Sequence, residues 1–163
     1  MSRFWGDIFT SEAVSLLLCS ISFALAPFRL HLLCLIKTAS LQITLDWINR
    51  AAKEKPDVIA FGEAWLPGYP FFIDSPLSDV WWQAASELLA NGVLLDGPEV
   101  AALYKAAKRS NADIVIGVNE LDPQTRAKLY CTMLIIGRDG MLLNRHRKLK
   151  PTHYERSVYS DRG

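Results

Sequence analysis

The chain predicts an α/β layered domain, on three observations. Apolar residues recur at helical spacing in one stretch of the chain. Short uncharged runs of strand type stand between turn residues. The order from residue 41 is helix, strand, two helices and three strands, which packs as helices on a mixed sheet.

Each element has its own signal. In "LQITLDWINRAAKEKPD", 41–57, Leu41, Leu45, Ile48 and Ala52 fall at i, i+4, i+7 and i+11, one face of an amphipathic helix that Pro56 ends. "DVIAF", 57–61, is a short apolar strand. "LSDVWWQAASELLANG", 77–92, reads as a helix capped by Ser78 or Asp79 and stopped at Gly92. "GPEVAALYKAAKRSNA", 97–112, is the next helix, with Pro98 in its first turn. Strands follow at 113–120, 128–137 and 141–150, the last two joined by "RDG" at 138–140 as a hairpin turn.

Residues 1–40 differ from the rest. "AVSLLLCSISFALAPF", 13–28, carries no charge but is shorter than the roughly 20 apolar residues that a bilayer span needs, and Pro27 and Arg29 interrupt it. "ALA" at 24–26 has the look of a signal-peptidase site, yet Pro27 follows it directly and Asp7 and Glu12 stand in the leader. The expectation is an apolar segment over 1–40, at most a loose helix broken near Pro27, and a separate domain over 41–163.

Composition sets outer bounds. Half of the 163 residues are apolar and 21% are charged, as in ordinary globular chains, and the net charge of +1 offers no general attraction to nucleic acid or anionic lipid. Cys19, Cys34 and Cys131 are odd in number and widely spaced, which disfavours a disulfide framework and makes a reducing cytoplasm the expected compartment.

Two stretches carry chemistry. In "FGEAWLPGYP", 61–70, Glu63 sits just beyond the strand "DVIAF", where open α/β sheets place their ligand sites. Gly62 is expected to let the backbone bend there, and the two prolines to stiffen the loop. Alone, Glu63 also fits a solvated loop carboxylate. "RHRKLKPTHYER", 145–156, has five cations in the six positions 145–150. Strand alternation puts His146, Lys148 and Lys150 on one face and Arg145, Arg147 and Leu149 on the other. Alone, this run fits a phosphate-binding patch or a solvated edge. His146, His153 and Glu155 match no established metal-ligand spacing.

Together, "DVIAFGEAWLPGYP" and "RHRKLKPTHYER", with the "YCTMLIIGRDG" hairpin between them, resemble the nitrilase family of carbon–nitrogen hydrolases over roughly residues 44–160. "PGYP" and "KPTHYER" look more like its nitrilase branch than its amidase branches. The resemblance implies an incomplete half of a four-layer αββα sandwich bearing part of a Glu-Lys-Cys triad. Position by position, Glu63 falls on the general base, Lys148 on the catalytic lysine and Glu155 on a second glutamate that helps hold the site. It implies an organic nitrile as substrate, with cyanide hydration or amide hydrolysis as alternative chemistries, no cofactor, and a homo-oligomer or association with a full-length relative.

The chain departs from that family in four places. The family's nucleophilic cysteine lies a few tens of residues beyond the lysine, and no cysteine follows Cys131 here. The family's first strand has no counterpart within 1–40. Lys55 stands where glycine is usual, and Cys131 where asparagine is common. Cys131, mid-strand in "LYCTML", reads as a buried structural thiol. The expectation is therefore a truncated nitrilase with a replaced N-terminus, an apolar sheet surface that favours association, and no measurable nitrile hydrolysis by the 163 residues alone.

Overall fold

A computed structural model describes residues 35–161. The expectations for the leader before Leu35 lie outside the described residues. The elements run α1 (Lys37–Ala51), β1 (Val58–Ala60), α2 (Asp79–Ala90), α3 (Pro98–Ser110), β2 (Asp113–Leu121), β3 (Leu129–Ile136) and β4 (Leu142–Arg147), with short 3₁₀ turns at Ala52–Glu54, Phe71–Asp74 and His153–Ser157. The sequence-predicted order is the observed order.

The four strands form one mixed sheet in the order β1-β2-β3-β4. β1 runs parallel to β2, while β2–β3 and β3–β4 are antiparallel. α1 and α3 cover one face. Ile48 of α1 and Val100, Leu103, Ala106 and Ala107 of α3 meet Ile114, Ile116 and Val118 of β2 and Leu134 and Ile136 of β3 in a buried core. The i, i+2 spacing of the strand residues aims them all at this one face. A smaller cluster, Leu88 of α2 with Leu121, Leu129, Cys131 and Tyr159, fills the far end of the opposite face.

Local signals account for the boundaries. The Ser78 hydroxyl accepts the Trp81 N–H at the start of α2, and Pro98 opens α3. α1 begins four residues before the predicted start and ends at Ala51, because a 3₁₀ turn takes over before Pro56. β4 ends at Arg147, so Lys148 lies just past the strand instead of within it, and Lys150 shares no strand face with His146. Arg138 of the hairpin turn ties back to Asp113 and Asp57 at the starts of β2 and β1, at 3.3 Å each.

Lys55 ends the 3₁₀ turn with φ 52°, in the left-handed region. That conformation costs an L-residue with a side chain about 1–2 kcal/mol, and glycine gives back roughly 0.5–1 of this through its unfolded-state entropy. Lys55→Gly is expected to raise stability by about 0.5–1 kcal/mol, read as a higher urea midpoint at unchanged m-value. An unchanged or lower midpoint would count against the strain.

Candidate active site

The site lies on the sheet face opposite α1 and α3. Cys131 pairs with Asn119, and Gly117 pairs with Met133, which pairs in turn with His146, so these residues alternate with the core set and point the other way. Glu63 reaches this face through an excursion of the chain. Phe61 N donates to Val115 O and Gly117 N to Gly62 O, the chain bulges out over residues 63–65, and Leu66 N returns to Gly117 O. The excursion lies flat on Gly117. A Cβ there would stand 2.5 Å from Gly62 O, 2.6 Å from Ala64 N and 2.8 Å from Glu63 Cα.

This corrects the reading of Gly62 as the residue that permits the bend. A Cβ on Gly62 would meet nothing within 4 Å, and Gly62 is not in the left-handed region. The left-handed residue is Ala64, at φ 49°. The glycine that the close approach demands is Gly117 on the neighbouring strand.

The loop after Glu63 is tied down from two sides. On α1, Ser40 Oγ donates to Pro67 O at 2.6 Å, and Thr44 Oγ1 accepts the Trp65 indole N–H at 2.9 Å. On β2, buried Asn119 donates through Nδ2 to Gly68 O at 2.8 Å and accepts the Tyr159 hydroxyl on Oδ1 at 2.7 Å. One amide thus joins the 67–70 loop to the C-terminal turn. Nothing in a one-dimensional reading of Asn119 announced this. A buried amide bonded through both its nitrogen and its oxygen fixes the relative placing of what it bridges.

The structure brings Glu63, Lys148 and Glu155 together, although 85 residues separate the first two. Lys148 Nζ stands 2.8 Å from Glu63 Oε1 and 2.8 Å from Glu155 Oε2, with Thr152 Oγ1 at 3.5 Å. Glu155 is buried and uses both oxygens. Oε2 also accepts the Thr152 N–H at 2.7 Å and the Thr152 hydroxyl at 2.8 Å, in a capping box, and Oε1 accepts the Tyr69 hydroxyl at 3.2 Å. Burial opposes the Glu155 charge, but Lys148 and the Thr152 donors outweigh it and hold the carboxyl below its usual range. Lys148 is likewise stabilised as an ammonium: desolvation opposes its charge, and the hydrogen bonds to Glu155 and Glu63 overcome that. Tyr69 is pushed up to about 12 by burial and by Glu155, so it stays a donor.

Sequence reasoning set the fourth member, Cys131, aside as a structural thiol. The Cys131 thiol donates to Glu63 Oε1 at 3.2 Å, on the same oxygen that Lys148 contacts. Burial, then the bond to Glu63, pushes the thiol up to about 12. The expected structural thiol is thus buried, as read, but it also faces the carboxylate. Strand parity would have placed it on the face of His146; only the excursion at Glu63 brings the carboxylate there. Cys131, Glu63 and Lys148 line one cavity of about 290 Å³ with Phe61, Met133 and His146.

On the core side, Glu120 forms a second polar cluster. It is 1% exposed and accepts from Arg145, from Arg147 at 2.6 Å and from the Thr132 hydroxyl at 2.8 Å. Arg147 also lies 3.6 Å above the Tyr130 ring. The cationic run therefore divides as strand alternation predicted: Arg145 and Arg147 turn to Glu120 on one face, His146 to the cavity on the other. Among the described residues no helix is long and apolar enough to cross a membrane.

Comparison with known proteins bears on this arrangement. The carbon–nitrogen hydrolase family matches residues 27–163. A prokaryotic protein named Nitrilase 2 is 43% identical over 125 residues, which are 77% of this chain and 40% of that protein. An aliphatic nitrilase of Rhodococcus rhodochrous is 41% identical over 120 residues, 72% of this chain and 32% of the relative. A cyanide hydratase of Gibberella zeae is 33% identical over 118 residues, again 72% of this chain and 32% of the relative. The chain thus spans about a third to two fifths of the length of these curated relatives. Among solved structures, an N-terminal amidase superposes with a TM-score of 0.57 at 22% identity, over 76% of this chain and 27% of that one. The C. elegans NitFhit protein gives 0.53 at 20%, over 71% and 25%. These two likenesses show the fold, and the family match and the closer relatives carry the rest: the chain belongs to the carbon–nitrogen hydrolase family.

Proposed function

We propose that this site performs nitrilase chemistry, converting an organic nitrile and two waters to a carboxylic acid and ammonia. The observation that carries the reading is the Lys148 ammonium held 2.8 Å from each of two carboxylates, one buried and one at an open cavity. Glu155, saturated by Thr152 and Tyr69, has the placing role. Glu63, with 53% of its side chain exposed, is free to take a proton from a nucleophile and give it up again. Lys148 is the donor for negative charge that develops on the nitrile nitrogen. The names of the nitrilase and cyanide hydratase relatives support a nitrile carbon as the target.

The test is ammonia release from a panel of aliphatic and aromatic nitriles by the purified chain. Against the sequence-based expectation of no measurable hydrolysis, this reading expects release that falls at least about 100-fold in Glu63→Gln and in Lys148→Ala, since a placed acid or base contributes 10²–10⁴-fold. Release that survives both substitutions would overturn the reading. No release at all would favour a second reading, a chain that keeps the family's ion-pair cluster without turnover. One observation points that way: burial holds the Cys131 thiol neutral.

A further inference from the structure

Resting on that nitrile-hydrolysing reading, we propose that Cys131 is itself a nucleophile of this site, capturing small electron-poor nitriles as a covalent thioimidate. The family resemblance assigns the nucleophile to a position beyond Lys148 and treats this one as a position for asparagine, so the assignment to Cys131 comes from the geometry.

A covalent site needs a nucleophile, a base within hydrogen-bond reach and a third group that holds the base. Cys131 Sγ is the nucleophile, Glu63 Oε1 at 3.2 Å is the base, and Lys148 Nζ at 2.8 Å from the same oxygen holds it. All three line the cavity, so a reactant entering it meets them together. The cavity's other walls include Phe61 and Met133, an apolar surface suited to an alkyl or aryl group. Lys148 has three N–H bonds. Two are taken by Glu63 and Glu155, and the third faces only the 3.5 Å contact with Thr152, which leaves it able to turn to an incoming nitrogen.

The step balances without a co-reactant. As Sγ attacks the nitrile carbon, an S–C bond forms and one π pair of the C≡N bond moves onto nitrogen. The thiol proton passes to Glu63 and from there to that nitrogen, giving R–C(=NH)–S–Cys131. No free thiolate accumulates beforehand, because the proton leaves as the bond forms. Besides Glu63 and Lys148, the titratable groups around the thiol are His146 across the strand pair, Glu155 behind Lys148 and Tyr159 of the C-terminal turn.

The probe is 2-cyanopyrimidine, with the adduct located by peptide mass spectrometry on the whole chain. In the folded protein the Cys131 peptide is expected to gain the nitrile at least about ten times faster than in the same chain unfolded in urea. Glu63→Gln, checked for an unchanged urea transition, is expected to remove that advantage, and Cys131→Ala to remove the adduct at this peptide. A second measurement needs no variant. Between pH 7.5 and 9.5 a base-assisted capture changes little in rate, whereas an unassisted thiol held neutral by burial gains about tenfold per pH unit as its thiolate fraction grows. Capture slower than in the unfolded chain, or a rate that climbs tenfold per unit, overturns the proposal. Ammonia release that depends on Glu63 and Lys148 but persists in Cys131→Ala also overturns it, while leaving nitrile hydrolysis standing. Capture at Cys131 without ammonia release keeps the nucleophile and sinks the hydrolytic reading.

Discussion

Gly117→Ala is expected to cost about 3 kcal/mol and to disable the site, while Gly62→Ala changes stability by less than about 0.5 kcal/mol. The sequence offers no reason for the difference. Both are glycines beside apolar residues, and only Gly62 neighbours the glutamate. The difference lies in what a methyl group would meet. At Gly62 it meets open space. At Gly117 it meets three backbone atoms of the 62–64 excursion between 2.5 and 2.8 Å. Backbone cannot step aside as a flexible side chain can, so the loop must lift from β2. Overpacking of this kind costs about 1–3 kcal/mol, and here the hydrogen bonds at Gly62 and Leu66 are strained as well. Alanine's better strand propensity gives back less than about 1 kcal/mol, so the clash decides the sign. Glu63 then moves relative to Cys131 and Lys148, and a displacement of about 1 Å in such a group costs on the order of 100-fold in rate. Urea unfolding gives the stabilities. The Glu63-dependent part of nitrile capture or ammonia release gives the placement. Equal stabilities for the two alanine variants would show that the excursion is not packed against Gly117.

Replacing both Arg145 and Arg147 by Met is expected to destabilise the chain by about 3–5 kcal/mol at pH 7 and to reverse one part of its acid response. Glu120 is 1% exposed, and its charge is tolerable there only because both guanidinium groups and the Thr132 hydroxyl bond to it. Burial alone raises its pKa, but the Arg147, Thr132 and Arg145 hydrogen bonds prevail and the net shift is downward. A group with a depressed folded pKa contributes stability above its unfolded pKa, and that contribution is lost as pH falls through the folded value. In the double variant burial acts nearly unopposed and the folded pKa rises above the unfolded one. The variant is then least handicapped below the unfolded value, where Glu120 is protonated in both states, and the handicap grows as pH rises through about 4.5 toward the folded pKa. Removing the partners of a buried charge accounts for the magnitude at neutral pH. The stability difference between wild type and variant, from urea transitions at pH 4 and pH 7, should therefore shrink on acidification. A difference that stays constant would mean that water reaches Glu120 once the arginines are gone.

The exposed Arg138 pairs make a useful contrast. Asp57 is 91% exposed, and screened surface pairs of this sort contribute little. The sequence shows arginines and carboxylates in both clusters. Burial separates them: Asp57 precedes β1 and Asp113 opens β2, whereas Glu120, also on β2, is 1% exposed beneath two arginines.

Element type and order were legible in the sequence because they follow from short-range rules. Helical spacing in 41–52, capping at Ser78, Pro98 at a first turn and the 138–140 turn each act within a few residues, and each element lies where those rules put it. Boundaries moved where two local signals competed, as at the end of α1 and of β4. The resemblance of two motifs was enough to pair Glu63 with Lys148 and to add Glu155, and the fold does bring these three together. Which face of the sheet they share, and who joins them, depended on the third dimension. Parallel pairing of β1 with β2 aims the chain beyond Phe61 across Gly117, and antiparallel pairing of β3 with β2 carries Cys131 to the same place. The Cys131–Glu63 contact that results spans 68 residues, and the Asn119–Gly68 bond spans 51. Periodicity tells which way a side chain points from its own strand. It cannot say what another segment sets against that side chain, and so the thiol beside the carboxylate was decided by the tertiary structure alone.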